Sequence, residues 1–252
     1  MTEVTTIESR DPVADDHRPT AWTEEQKFVL ACRVLAEDGH DSVLPGLISW
    51  RAGANQFLTL PFGLGFEEAR PRDLITVNAD LALLRGRVKP SPAVGFLTWM
   101  HRYRPDVGCV IHTHAPYTAA LAMLDDPLEV AHMDATMFHD DCAFLREWPG
   151  NPVSEVEARI ISDALGKKRA VLLANHGFVT VGETIEEACY LAICFERAAR
   201  MQMRARASGR LKPIDPTLAR EAHDFMSMPE VMGSTFRRFA RQVLRHDPDC
   251  LR

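Results

Sequence analysis

Apolar positions along the chain change period several times, and each change marks an element. Between residues 23 and 37, Phe28, Val29, Cys32, Val34 and Leu35 recur near helical spacing. Thr23 stands where an N-cap would, with Gln26 three residues on as in a capping box, and Gly39 supplies a stop. Two short runs, 47–51 and 56–60, flank Ala52-Gly53-Ala54-Asn55 and predict a β-hairpin. Short strands are expected at 74–77 and 81–84, then a helix over 93–103 that Pro105 closes. A run of β-formers over 107–111 leads into His112, and a helix is predicted over 116–124. A further helix spans 154–165, with Ser154 as cap, Glu157 at N3 and Gly166 at its end. The continuous apolar run 170–174 reads as a buried strand, and Thr184 with Glu187 opens a long helix to 206. Two shorter helical stretches follow, over 216–226 and 234–244. Strands and helices are mixed without regular alternation. This predicts an α/β sandwich with a largely antiparallel or mixed sheet, not a doubly wound parallel one.

Composition narrows the function classes. The chain has 252 residues and a formal net charge of -6, so nothing electrostatic points to nucleic acid or an anionic membrane. Arg237, Arg238, Arg241 and Arg245 read as the solvated face of a helix. No apolar run is long enough to cross a bilayer. Residues 1–20 are polar and acidic, with Pro12 and Pro19; they are expected to form a disordered arm ahead of a single domain over 21–252. The six cysteines are dispersed without a Cys-x-x-Cys pair, which suggests reduced thiols and a cytoplasmic protein.

The chemistry concentrates on histidines. In an extended strand residues i and i+2 share a face, so His112 and His114 can aim two imidazoles at one point. A bare His-x-His is a weak signal, but a third histidine follows. His176 ends the apolar strand 170–174, between Asn175 and Gly177, which are turn residues. Three neutral imidazoles form a facial set that holds a divalent metal and leaves positions open for substrate or water. The helix start at Pro116 lies just beyond, and its dipole would favour an anionic substrate group.

Four segments together resemble the class II aldolase/adducin family. They are Arg104-Pro105-Asp106-Val107, His112-Thr113-His114-Ala115-Pro116-Tyr117, Asn175-His176-Gly177 and Val181-Gly182-Glu183-Thr184-Ile185-Glu186-Glu187-Ala188. The resemblance covers residues 23–206 and implies a three-layer fold with a central, mainly antiparallel sheet flanked by helices. It also implies a homotetramer with sites at subunit interfaces. The divalent metal would be held by His112, His114 and His176, zinc first, with iron or manganese as alternatives. One departure matters: the family's aldolases carry a catalytic Glu ahead of the His-x-His, and the matching position here is Ala93. Alanine can neither move a proton nor bind metal, so ordinary aldol chemistry is not expected. Phe57-Leu58-Thr59-Leu60-Pro61-Phe62 replaces the phosphate-gripping elements and suits an aromatic or apolar substrate. His132 and Asp134 are the candidate acid and base, and Arg51 and Tyr117 the candidate substrate-binding residues. The expected activity is a metal-dependent lyase, with decarboxylation of a small hydroxy or oxo acid ahead of retro-aldol cleavage. Non-haem iron oxygenation and an adducin-like, non-enzymatic scaffold are the alternatives.

Overall fold

The computed structural model of the protein describes residues 21–40, 46–151, 153 and 155–252. The expected arm 1–20 and the expected cap Ser154 lie outside the described residues. Helix α1 is Glu24–Glu37, and its capping box is formed: Thr23 Oγ1 accepts from Gln26 N at 3.2 Å while Gln26 Oε1 accepts from Thr23 N at 3.1 Å. Strands β1 (Leu47–Gly53) and β2 (Gln56–Thr59) make the expected hairpin, with Asn55 at φ 53° in the turn. Short β3 (Ile75–Val77) and β4 (Leu83–Arg85) follow, then α2 (Val94–Tyr103), β5 (Cys109–Thr113) and α3 (Pro116–Ala122). The chain continues through β6 (Cys142–Leu145), α4 (Glu155–Leu165), β7 (Ala170–Leu173) and β8 (Gly177–Gly182). Helices α5 (Ile185–Arg206), α6 (Pro216–Met226) and α7 (Pro229–His246) complete it.

The eight strands form one sheet in the order β4-β3-β2-β1-β5-β8-β7-β6. Every neighbouring pair is antiparallel except β6–β7, and α4 supplies the crossover that a parallel pair requires. Alternation along β5 separates two cores. Cys109 and Ile111 enter the larger core with residues of α1, α5 and α7, whereas Val110 joins Phe96, Leu97, Ala158 and Ile161 of α2 and α4. The sheet is therefore buried on both faces, which makes three layers.

Three departures from the sequence-based reading have physical reasons. Residues 131–142, where the apolar pattern predicts no element, hold a 3-10 helix (Met133–Phe138) whose Ala135, Met137 and Phe138 are buried. Strand β6 was not expected, because Cys142–Leu145 is only half-buried at the sheet edge and its apolar run is four residues long. Helix α7 begins at Pro229 rather than near 234, with proline in the first turn where its missing N–H costs nothing.

Candidate metal centre

Strand β5 lies at the middle of the sheet, between β1 and β8, and its carboxyl end builds the site. His112 follows Val110 in parity and faces the α2 side, where the Phe96 ring meets it edge-on at 5.1 Å between centroids. Its Nδ1 lies 2.8 Å from the Phe178 carbonyl of β8. A carbonyl only accepts, so Nδ1 carries the proton and the Nε2 lone pair is left facing outward. His114 stands just past the strand, with Nε2 3.0 Å from Nε2 of His112. His176 enters from the tight β7–β8 connection, in which Leu173 pairs with Gly177 and Asn175 takes φ 56°. Asn175 N donates to Ala122 O at 2.7 Å, and His176 N to Leu173 O at 3.1 Å, so both sides of that connection are tied down.

The three rings come within 4.7–4.8 Å of one another between centroids, and one nitrogen from each lies within 4.8 Å of the others. Gly177 makes this approach possible. A Cβ there would come within 2.5 Å of the Thr113 carbonyl and 2.7 Å of His114 Cδ2. Electrostatics keep the imidazoles neutral. Burial drives the His112 pKa well below its ordinary value, and neighbouring His176 and His114 lower it further. Burial, then His114, brings His176 down to about 4, and burial lowers His114. Neutral imidazoles with converging lone pairs are a ligand set for a divalent cation, so these residues fit the metal the sequence implies.

The histidines open into a cavity of about 280 Å³. Its walls are Leu47, Ile48, Leu60, Pro61, Phe62, Leu64, Val94, Phe96 and Val153, with Thr59, Ser91, Thr113 and Asn151 as the polar additions. Thr59 Oγ1 is already used, donating to Ile48 O at 2.8 Å. Ala93 lines the same cavity as the three histidines, so the missing carboxylate is missing at the site itself. Among the described lining residues there is no Asp, Glu, Lys, Arg or Tyr, and the three histidines are the only ionisable side chains.

Other expected site residues lie elsewhere in the chain. Arg51 does not line the cavity; its guanidinium donates to the carbonyls of His101 (2.6 Å), Val107 (3.2 Å) and Arg104 (3.3 Å) and so ties down the end of α2. Tyr117 is also off the cavity, its ring packed against the Arg200 and Arg204 guanidiniums at 5.2 and 5.8 Å. The start of α3 is not free for a substrate anion. Buried Glu196 accepts from Tyr117 N (2.9 Å), Thr118 N (2.8 Å) and Thr118 Oγ1 (2.8 Å). His132 and Asp134 sit half-exposed at the start of the 3-10 helix, 3.8 Å apart and outside the cavity lining of their own chain. Sequence reasoning missed Glu196, Asn151 and Val153. Glu196 lay unmarked within a helical stretch, though a carboxylate in a buried helix stripe is a signal in itself.

A family model described as Class II Aldolase and Adducin N-terminal domain matches residues 26–203. The chain is 28% identical over 243 residues to the decarboxylase NovR of Streptomyces niveus, covering 94% of this chain and 90% of that protein. It is also 28% identical over 243 residues to a 4-hydroxy-3-prenylphenylpyruvate oxygenase/4-hydroxy-3-prenylbenzoate synthase of Streptomyces roseochromogenus subsp. oscitans, covering 94% and 88%. Among solved structures, L-fuculose 1-phosphate aldolase from Glaciozyma antarctica PI12 superposes with a TM-score of 0.85 at 26% identity, over 95% of this chain and 99% of that one. With the sheet order, the two helical layers and the convergent histidines, these likenesses show that the chain belongs to the class II aldolase/adducin family.

Proposed function

We propose that the protein is a metal-dependent lyase that decarboxylates a small aromatic or apolar hydroxy or oxo acid. The observation that carries this reading is the composition of the cavity: three neutral, convergent imidazoles in an apolar chamber whose catalytic carboxylate position is Ala93. His112, His114 and His176 would hold the metal, with zinc the ion that an all-imidazole set suits first. A divalent cation bound there would supply Lewis-acid stabilisation of the negative charge left on a substrate oxygen as the C–C bond breaks. Phe62, Leu64, Val94 and Val153 would seat the apolar body of the substrate and keep water from the carbon that gains charge. With no Lys or Arg among the described lining residues, a phosphate group would have no cationic side chain to pair with here, which favours an apolar acid over a sugar phosphate.

The proton that replaces the departing carboxylate comes from outside this lining. His132 and Asp134 are assigned to that step only in an assembly where they face the cavity of a second copy, and we take that assembly to be a homotetramer. Val153 lines the cavity, and it, Trp148 and Val156 are each more than half exposed and offer apolar material for such an interface. The likeness to the prenylbenzoate synthase supports a second reading, non-haem iron oxygenation on the same ligands. An adducin-like scaffold would have no use for three convergent imidazoles. The test is to incubate the metal-loaded protein with aromatic 2-oxo and ortho-hydroxy carboxylic acids while recording CO₂ release and O₂ uptake. Decarboxylation predicts CO₂ under strict anaerobiosis. O₂ uptake matched to product would move the protein to the oxygenase reading, and cleavage of sugar phosphates alone would reject both.

A further inference from the structure

Helix α5 carries Glu196, Arg200 and Arg204 at spacings of four, so the three side chains lie along one stripe. All three meet the first turn of α3. The Arg200 and Arg204 guanidiniums both pack against the Tyr117 ring, and Arg204 Nη2 reaches Tyr117 Oη at 3.5 Å. Glu196, 1% exposed, takes the amides of Tyr117 and Thr118 and the Thr118 hydroxyl. A carboxylate buried in a helix–helix contact is costly unless every lone pair is used, and here three donors converge on it. The turn so gripped begins two residues after His114. His114 lies beyond the last ladder pair of β5, Thr113 with Phe178, so the sheet does not hold its backbone directly. Its place is set by Thr113 on one side and by the α3 turn on the other.

We propose that Glu196 is a positioning residue for the metal centre, acting through the Tyr117–Thr118 amides to hold His114 Nε2 in convergence with His112 and His176. This inference rests on the metal-centre reading above. It assigns Glu196 a role that a generic core carboxylate would not have: the geometry of one ligand depends on it.

The test compares full-length wild type with Glu196→Gln, Thr118→Val and a remote control, Tyr190→Phe, which removes the Tyr190 Oη donation to Met226 O (3.2 Å). Zn(II) affinity is measured by chelator competition, the Co(II) ligand-field spectrum is recorded, and unfolding of the metal-free proteins is followed by circular dichroism. Glu196→Gln is expected to weaken Zn(II) binding by about tenfold and to shift the Co(II) bands, the scale usual for outer-shell support of a metal site. Thr118→Val, which removes one donor of three, is expected to weaken binding less and in the same direction, and it serves if Glu196→Gln does not fold. Tyr190→Phe should leave affinity and spectrum unchanged. Wild-type affinity and spectrum in folded Glu196→Gln or Thr118→Val would overturn the positioning role while leaving the metal centre standing. An equal loss in Tyr190→Phe would reduce the effect to general destabilisation and overturn it too. Failure of wild type itself to bind Zn(II) or Co(II) would overturn both readings.

Discussion

His112 is prepared for a cation by its surroundings. Its Nδ1–H donates to the Phe178 carbonyl, Phe96 packs on its ring, and burial keeps it neutral, so its Nε2 lone pair faces the other two imidazoles. This much could be read from local spacing, because a His-x-His on a strand and a histidine at a strand end declare their directions without tertiary information. Ala93 was legible for a similar reason: it sits at a motif position, and it does line the histidine cavity. That Arg51 and Tyr117 stand off this cavity was not legible, because whether a polar side chain faces a cavity, a carbonyl or solvent is decided by packing that spacing does not encode. Gly177 shows how narrow the tolerance is. Its Gly identity answers to close approach, as no Cβ fits between β8 and the Thr113–His114 backbone. Gly177→Ala is expected to destabilise the protein by about 1–3 kcal/mol through forced displacement. It should also weaken metal binding about tenfold or more, since the neighbour that must move is a ligand. Denaturant unfolding and chelator competition check the two halves, and an unchanged metal affinity would show that His114 has room to retreat.

The elements that matter most are β5, β8 and the turns at their ends. β5 was anticipated because its residues are apolar and lead to the histidines. β8 was not, although all six of its residues are buried. Its sequence, Gly177-Phe178-Val179-Thr180-Val181-Gly182, follows a turn so tight that the apolar stretches of β7 and β8 blur into the signal of the histidine motif. Yet β8 supplies the carbonyl that orients His112 and the glycine that admits His114. The start of α3 was expected to draw a substrate anion through its dipole, and it does hold an anion, one provided by the chain itself. Glu196 occupies the amides that would have served a ligand, and the dipole works to brace the site instead. The long α5 was legible from its capping box and periodicity. The stripe within it that grips α3 was not, since the spacing of Glu196, Arg200 and Arg204 does not say which element they meet.

At the scale of the whole molecule, the largely antiparallel α/β sandwich was legible from the mixed order of elements and its three layers from the family resemblance, while the single parallel pair β6–β7 was not. Burial on both faces of the sheet has a thermodynamic consequence. His40 and His101 are enclosed in it, and burial first, then nearby arginines, lowers each pKa to about 3. His40 meets Thr113 Oγ1 at 2.9 Å through Nδ1, and His101 meets Ser49 Oγ at 2.9 Å through Nε2. Depressed folded-state values mean that the unfolded chain binds more protons below pH ~6.5. Stability from these groups is therefore fully present above that pH and falls as pH drops toward 3, by up to about 1.4 kcal/mol per pH unit for each histidine. The metal-free histidine triad acts in the same direction, while Glu196, whose pKa burial raises, opposes it as one group. Urea unfolding of the chelator-treated protein between pH 7.5 and 4.5 should show stability that is level down to about pH 6.5 and falls below it, with a shallower slope in His101→Asn. A flat profile would contradict the burial of these imidazoles as neutral groups. The most direct test of the whole reading is elemental analysis of protein purified anaerobically without chelator, for wild type and for His112→Ala. One divalent transition metal per chain in wild type, with most of it lost in a folded His112→Ala, is the expected result. Absence of metal from wild type after reconstitution, or full retention by His112→Ala, would contradict a three-histidine metal centre.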